Sequence, residues 1–126
     1  MIELAPAPAS LPQGRRIYAI GDIHGCNRQL GHLHAIIAAD LAARPIASAL
    51  LLHIGDYVDR GADTAGVIDR LKDGCPIQGM DMVNLMGNHE STMLEALSGA
   101  GTDWLFAGGK AAVQSYGMDP KAPGRM

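Results

Sequence analysis

The sequence predicts an α/β domain built on a parallel sheet, with the element order β-α-β-α-β-α. Three observations support this. Short apolar runs end in glycine, segments with helical spacing of apolar residues separate them, and the runs recur at a spacing that fits βα units of ~30 residues. Such alternation favours a parallel sheet with right-handed crossovers. The chain of 126 residues has the size of one ordinary domain.

The first strand and the first helix follow a proline-rich start. Residues 1–14 hold three of the seven prolines and are predicted to form a flexible arm. Residues 17–20 are apolar and stop at Gly21, as expected of a buried strand. Apolar residues at helical spacing then predict a helix over 27–43, which Arg44-Pro45 ends.

The second and third units repeat this pattern, and a short helical segment follows them. The remaining predicted elements are strands at 49–54 and 81–86 and helices at 64–74, 90–97 and 108–116. Asp63-Thr64 can cap the first of these helices, and Gly74 can end it. The domain is predicted to span residues 15–117, with a tail at 118–126.

Composition and charge exclude several classes of function. The net charge of −3 argues against broad electrostatic binding to nucleic acid or to anionic membranes. No run approaches the ~18 apolar residues that a membrane span needs. The two cysteines, Cys26 and Cys75, make no disulfide framework and favour a reducing compartment. The sequence therefore predicts a cytoplasmic protein that binds neither nucleic acid nor membrane.

Polar residues that can bind metals follow each of the three predicted strands. They occur in GDIHG at 21–25, GDYVDRG at 55–61 and GNHE at 87–90. Each cluster alone is a common pattern, explained as well by a helix cap or an ion pair. Ligands collect at the carboxyl ends of parallel strands, so three such clusters at consecutive strand ends are expected to converge on one site.

The residue types in these clusters suit divalent cations and a phosphoester. Carboxylate, amide oxygen and imidazole nitrogen bind hard or borderline dications, and Asp56 has two oxygens with which to bridge a metal pair. Arg60 offers a planar fork to two phosphate oxygens. His89 can protonate a departing oxygen while Asp59 holds its ring.

The three clusters resemble the metallophosphoesterase (calcineurin-like) superfamily, and GDYVDRG at 55–61 is specific to its phosphoprotein phosphatase branch. Residues 63–72, Trp104-Leu105 and 108–117 are similar to the small bacterial and phage enzymes of that branch. The resemblance covers about residues 15–117. It implies that the chain is the N-terminal half of a four-layer α/β/β/α fold. It also implies a phosphomonoester hydrolase, similar to serine/threonine protein phosphatases, in which activated water attacks phosphorus directly.

The resemblance further implies a role for each site residue. Asp22, His24 and Asp56 would hold the first of two divalent ions, and Asp56 and Asn88 would begin the second site. Manganese is the expected metal, with iron or zinc as alternatives. His89 would be the general acid.

The same resemblance assigns the supporting and phosphate-binding groups. Asp59 would pair with His89, and Glu90 would give local support. Arg60, Asn88 and His89 would bind the phosphate of a phosphorylated protein, a peptide or a small phosphoester.

The sequence departs from the family pattern in its second half. The family's second metal takes two further histidines from later strands or loops, and no histidine follows His89. His32 and His34 would point to different faces of the first helix, and His53 is expected in the core. The sheet face that meets a second sheet in the family would be bare, which predicts either a longer protein or self-association through that face.

Two other functions remain open. One is hydrolysis of dinucleoside polyphosphates such as diadenosine tetraphosphate. Bacterial enzymes with that activity typically lack the second aspartate of the middle cluster and end the third cluster with aspartate, so Asp59 and Glu90 favour a phosphatase. The other is a truncated, inactive domain that binds a metal or a partner without turnover.

Overall fold

Alternating strands and helices form one parallel sheet, in the strand order β1-β2-β3. The computed structural model describes residues 3–99 and 103–120. Its elements are β1 (Arg15–Ile20), α1 (Asn27–Ala43), β2 (Ser48–His53), α2 (Thr64–Lys72), β3 (Asp81–Asn84), α3 (Asn88–Leu97), a 3₁₀ helix (Asp103–Ala107) and α4 (Gly109–Ser115). The predicted α/β class and the order β-α-β-α-β-α are confirmed.

The strand register aligns one row of side chains under the helices. Tyr18 of β1 lies beside Leu51 of β2, and Leu51 lies beside Met82 of β3. Leu51 is fully buried, and the other two pack against the same core. Side chains alternate across a strand, so this row fixes which face of the sheet the helices cover.

Helices α1 and α2 pack apolar side chains against this face of the sheet. Leu30 of α1 and Val67 and Leu71 of α2 are buried in one cluster with the sheet residues, and the two helices contact each other. α2 begins where predicted, because the Asp63 side chain accepts a hydrogen bond of 2.9 Å from the Gly66 N–H.

The described residues leave the opposite face of the sheet exposed, as the sequence predicts. Ile17 of β1 and Val83 of β3 are each 41% exposed, and Ile54 and Leu85 just beyond the strands are exposed as well. These side chains form an apolar surface across all three strands.

Element boundaries differ slightly from the predictions. β3 ends at Asn84, two residues early, although the Leu85 N–H still donates to the His53 carbonyl at 2.9 Å. Residues 3–12 contain no helix or strand and are exposed, whereas residues 121–126 of the predicted tail lie outside the described residues. None of the helices at 3–99 and 103–120 combines the length and apolar character of a membrane span.

Two histidines meet inside the core beneath the strand ends. His34 of α1 and His53 of β2 are buried, with their Nε2 atoms 3.0 Å apart, while His32 is exposed. His53 Nδ1 lies 2.7 Å from Asn84 Oδ1. One proton arrangement satisfies both contacts: His53 donates to Asn84, and His34 donates to His53. The expected core position of His53 is confirmed.

The folded protein should lose stability in mild acid because of this pair. Burial, followed by the charges of His53 and Arg70, lowers the pKa of His34 from 6.5 to about 4. Between these values the unfolded chain binds a proton that the folded chain rejects, so stability falls as the pH drops through that window. At about 1.4 kcal/mol per pKa unit the loss reaches roughly 3 kcal/mol. Urea unfolding at pH 7, 6, 5 and 4.5 measures this loss in the free energy of unfolding.

A matched pair of variants isolates this effect. His34→Leu should flatten the pH dependence of the unfolding free energy, whereas His32→Leu, two residues away on the exposed side of α1, should leave it as in the parent. An unchanged slope in His34→Leu would contradict the assignment.

Candidate active site

The three polar clusters lie on the loops that follow the three strands, and backbone hydrogen bonds join the first two loops. The His24 N–H donates to the Asp56 carbonyl, and the Gly25 N–H donates to the Tyr57 carbonyl, both at 2.9 Å. The Gly25 carbonyl accepts in turn from the Asp63 N–H at 3.0 Å. The β1–α1 and β2–α2 loops are therefore held side by side at the carboxyl edge of the sheet.

Strained backbone is concentrated in these two loops. Five non-glycine residues in the described chain have a positive φ: Asp22 (49°), His24 (40°), Asp56 (59°), Asp59 (78°) and Arg60 (68°). All five are residues that the sequence singles out for the site. L-residues adopt this region rarely, and such strain persists where the surrounding structure holds a functional geometry.

Glu90, in the first turn of α3, connects the β3–α3 loop to the β2–α2 loop by hydrogen bonds. One of its carboxylate oxygens accepts from the N–H groups of Asp56 (2.6 Å) and Gly87 (2.9 Å). The other accepts from Tyr57 (2.8 Å) and Val58 (3.2 Å). A single buried carboxylate thus satisfies four backbone donors and sets the spacing between the two loops.

A candidate metal centre forms where the loops meet. His24, Asp56 and His89 bring one ligand atom each within 4.8 Å of one another. His24 Nδ1 lies 2.8 Å from the Val58 carbonyl oxygen, to which it donates its proton, so Nε2 keeps its lone pair for a ligand. The rings of His24 and His89 stand edge to face with centroids 4.6 Å apart.

The Asn88 side chain lies against the Asp56 carboxylate of this centre. One end of its amide lies 3.1 Å from both carboxylate oxygens of Asp56. With the NH₂ group at that end, Asn88 donates two hydrogen bonds to Asp56. Rotation of the amide by half a turn would present its oxygen, a metal ligand, at the same place. Imidazole, carboxylate and amide oxygen together suit a divalent metal.

A carboxylate–imidazole pair lies next to these donors. Asp59 is fully buried, and its Oδ2 atom lies 2.8 Å from Nδ1 of His89. His89 donates its Nδ1 proton to the carboxylate, which leaves Nε2 as the atom available to a substrate or a metal. The backbone N–H of Asp59 donates to the hydroxyl of Thr64 at 3.1 Å, which anchors the pair to the start of α2.

Two of the predicted site residues have exposed side chains outside the converging group. Asp22 is exposed and is not a member of the group whose ligand atoms converge. Arg60 is exposed, and its side chain makes no hydrogen bond or ion pair within residues 3–99 and 103–120. Its backbone N–H donates to the Gly108 carbonyl at 3.0 Å, which places it against the segment that leads into α4.

The sequence did not assign Trp104 a role, although the structure places it in contact with the site. Its indole Nε1–H donates to Asp59 Oδ1 at 2.6 Å, across 45 positions of the chain. The available signal was compositional, because Trp104 is the single tryptophan of a chain with only 4% aromatic residues.

Comparison with known proteins gives consistent matches. The sequence profile of the calcineurin-like phosphoesterases matches residues 15–120. Serine/threonine-protein phosphatase 1 of Salmonella typhimurium is 33% identical over 96 residues, and serine/threonine-protein phosphatase 2 of Escherichia coli is 35% identical over 97. The symmetrical bis(5'-nucleosyl)-tetraphosphatase of an Acidovorax species is 36% identical over 83 residues.

These alignments cover much of this chain and little of the relatives. They include 75% of the chain for each phosphatase and 66% for the tetraphosphatase. The chain spans 39% of the length of each phosphatase and 26% of the tetraphosphatase.

Proposed function

The chain belongs to the calcineurin-like phosphoesterase family, and on that premise we propose that it acts as a metal-dependent phosphomonoester hydrolase of the serine/threonine protein phosphatase type. The observation that best supports the proposal is the buried Asp59–His89 pair, whose imidazole stands 4.6 Å from the ring of His24. A proton donor close to metal ligands suits the hydrolysis of a phosphoester.

The converging group of His24, Asp56 and His89 supports binding of a divalent metal. We propose that Asp22, His24 and Asp56 hold one ion and that Asp56 and Asn88 contribute to the second, with manganese as the metal and iron or zinc as alternatives. When bound, such ions polarise phosphoryl oxygens and lower the pKa of a water molecule. All three residues have positive φ angles and lie on the loops that follow β1 and β2, which supports this assignment.

His89 is proposed to supply the proton of the reaction. Water attacks phosphorus directly while the bond to the leaving oxygen breaks, and His89 Nε2 donates a proton to that oxygen. Asp59 accepts a hydrogen bond from Nδ1–H, which holds the orientation of the ring. The attacking water loses a proton as its bond to phosphorus forms, and that proton restores the acid form of His89. The cycle closes without a covalent intermediate.

Arg60→Ala should weaken binding of the phosphate group. We propose that the free guanidinium of Arg60 donates two hydrogen bonds to phosphate oxygens, a geometry that alanine lacks. Loss of charged hydrogen bonds of about 1.5–3 kcal/mol predicts a rise of about 10- to 100-fold in the inhibition constant of inorganic phosphate. Arg15→Ala is the control, because Arg15 begins β1 and so lies at the edge of the sheet opposite the site loops. An unchanged inhibition constant in Arg60→Ala would contradict the proposal that Arg60 binds the phosphate group.

A phosphomonoesterase is favoured over a dinucleoside tetraphosphatase, which the 36% identical relative represents by name. Asp59 supports this preference, because its carboxylate is hydrogen-bonded to His89 and the resemblance implies that tetraphosphatases typically lack this aspartate. Turnover of diadenosine tetraphosphate that exceeds turnover of a phosphopeptide would reverse this preference.

The proposed activity is tested with the purified chain, p-nitrophenyl phosphate and manganese. Hydrolysis that Asp56→Asn abolishes, and that Asp81→Asn at the distant start of β3 leaves intact, supports the proposal. A chain that binds one metal ion and hydrolyses nothing supports the alternative of an inactive metal-binding domain.

The proposed partners are phosphorylated proteins, peptides or small phosphoesters in the cytoplasm. The uncovered apolar face of the sheet, with Ile17 and Val83 each 41% exposed, also supports self-association of the chain. Light scattering at several protein concentrations measures the oligomeric state, and a monomer at every concentration would exclude self-association.

A further inference from the structure

Trp104 completes the hydrogen bonding of the Asp59 carboxylate. The carboxylate has two oxygens: His89 Nδ1 donates to Oδ2 at 2.8 Å, and Trp104 Nε1 donates to Oδ1 at 2.6 Å. Asp59 is fully buried, Trp104 is 2% exposed, and no lysine or arginine pairs with Asp59 within residues 3–99 and 103–120. A buried carboxylate depends on such donors, and the indole N–H is one of the two side-chain donors to Asp59 among the described residues.

The surrounding segment holds the indole in a fixed place. A side chain on Gly109 would come within 2.6 Å of the Trp104 ring, so only glycine allows α4 to begin against it. Ala112 and Val113 of α4 are buried in the same cluster as Trp104. The Gly108 carbonyl accepts from the Arg60 N–H at 3.0 Å, which attaches this segment to the loop that carries Asp59.

We propose that Trp104 is a positioning residue for the Asp59–His89 pair. With one oxygen held by the indole, the carboxylate plane cannot rotate, and the remaining oxygen stays in line with His89 Nδ1. The ring is then held with Nδ1–H on Asp59 and with Nε2 facing the candidate metal centre, in both the neutral and the charged form of His89. The effect on turnover rests on the proposed function, whereas the coupling of Trp104 to His89 is independent of it.

The single tryptophan makes this coupling directly observable. The indole gives one ¹H–¹⁵N signal, which is expected far downfield and protected from exchange because its acceptor is a buried carboxylate. Asp59→Asn replaces that acceptor by a weaker, neutral one and should move the signal upfield. A signal that Asp59→Asn does not move would overturn the proposal.

The second experiment removes the indole N–H donor and observes the His89 ring. Trp104→Phe removes this donor by an ordinary substitution. Replacement of the indole by benzothiophene, as 3-benzothienylalanine, keeps the ring volume if Trp104→Phe folds poorly. In ¹⁵N spectra of the neutral imidazole, the single Nδ1–H tautomer should change to a mixture of tautomers. We expect kcat to fall about 10-fold with KM unchanged, as for a group that acts only on the transition state. Tyr18→Phe, which removes the remote Tyr18–Asp40 hydrogen bond, is the control and should change neither.

The outcomes separate positioning from packing. A variant with the parent tautomer and the parent kcat, even if less stable, would show that Trp104 only fills space. Activity restored by the benzothiophene would show the same. A parent chain that hydrolyses no phosphoester but gives the expected indole and imidazole spectra would count against the proposed function and support the coupling of Trp104 to His89.

Discussion

Glu90→Gln is expected to lower the free energy of unfolding by roughly 2–6 kcal/mol. The carboxylate of Glu90 accepts four backbone N–H groups, two at each oxygen. In glutamine one oxygen becomes an NH₂ group, which would face two N–H donors and accept from neither. Each buried donor left without an acceptor costs about 1–3 kcal/mol. Denaturation in urea, followed by circular dichroism, measures the loss.

The control for this prediction lies on the same helix. Glu95 of α3 is exposed, so Glu95→Gln should change the unfolding free energy by less than about 0.5 kcal/mol. Equal effects of the two substitutions would mean that the four hydrogen bonds of Glu90 do not hold the loops together. The substitution also tests the site, because Glu90 binds the N–H of Asp56 and thereby fixes a proposed metal ligand.

The sequence predicted the positions of the loops well because a local signal marked each strand end. An apolar run followed by glycine and a polar residue identifies the end of a buried strand, and the parallel order then places three such ends at one edge. The α1 bounds of Asn27–Ala43 agree with the prediction for the same reason, since Arg44-Pro45 follows directly. The strained backbone at Asp56 and Asp59 has no such signal, because aspartate rarely adopts a positive φ.

Contacts between distant segments were beyond prediction from one sequence. The Trp104–Asp59 hydrogen bond joins residues 45 positions apart, and its formation depends on how α4 packs after the third βα unit. The His34–His53 contact joins a helix to a strand across 19 positions. Helical periodicity places His34 on a face of α1, and strand alternation places His53 in the core, but neither pattern says that the two rings meet.

His89→Asn is expected to reduce kcat by about 10²–10⁴-fold, the range for a general acid, with the metal content unchanged. Asparagine keeps a polar side chain but has no proton to transfer to the leaving oxygen. The loss should be larger for an alkyl phosphate than for p-nitrophenyl phosphate, because a nitrophenolate leaves without protonation more readily. Steady-state kinetics on both substrates, with metal analysis of the purified variant, provides the measurement.

Metal analysis decides between the two roles open to the Nε2 atom of His89, since this residue also belongs to the group whose ligand atoms converge within 4.8 Å. A variant that loses its metal, with equal losses of kcat on both substrates, would identify His89 as a ligand and contradict the acid role. His32→Asn, on the exposed side of α1, should match the parent in both measurements. If His89 is the acid that Asp59 orients, Asp59→Asn should cost much less in the His89→Asn background than in the parent, because the two residues act as one unit.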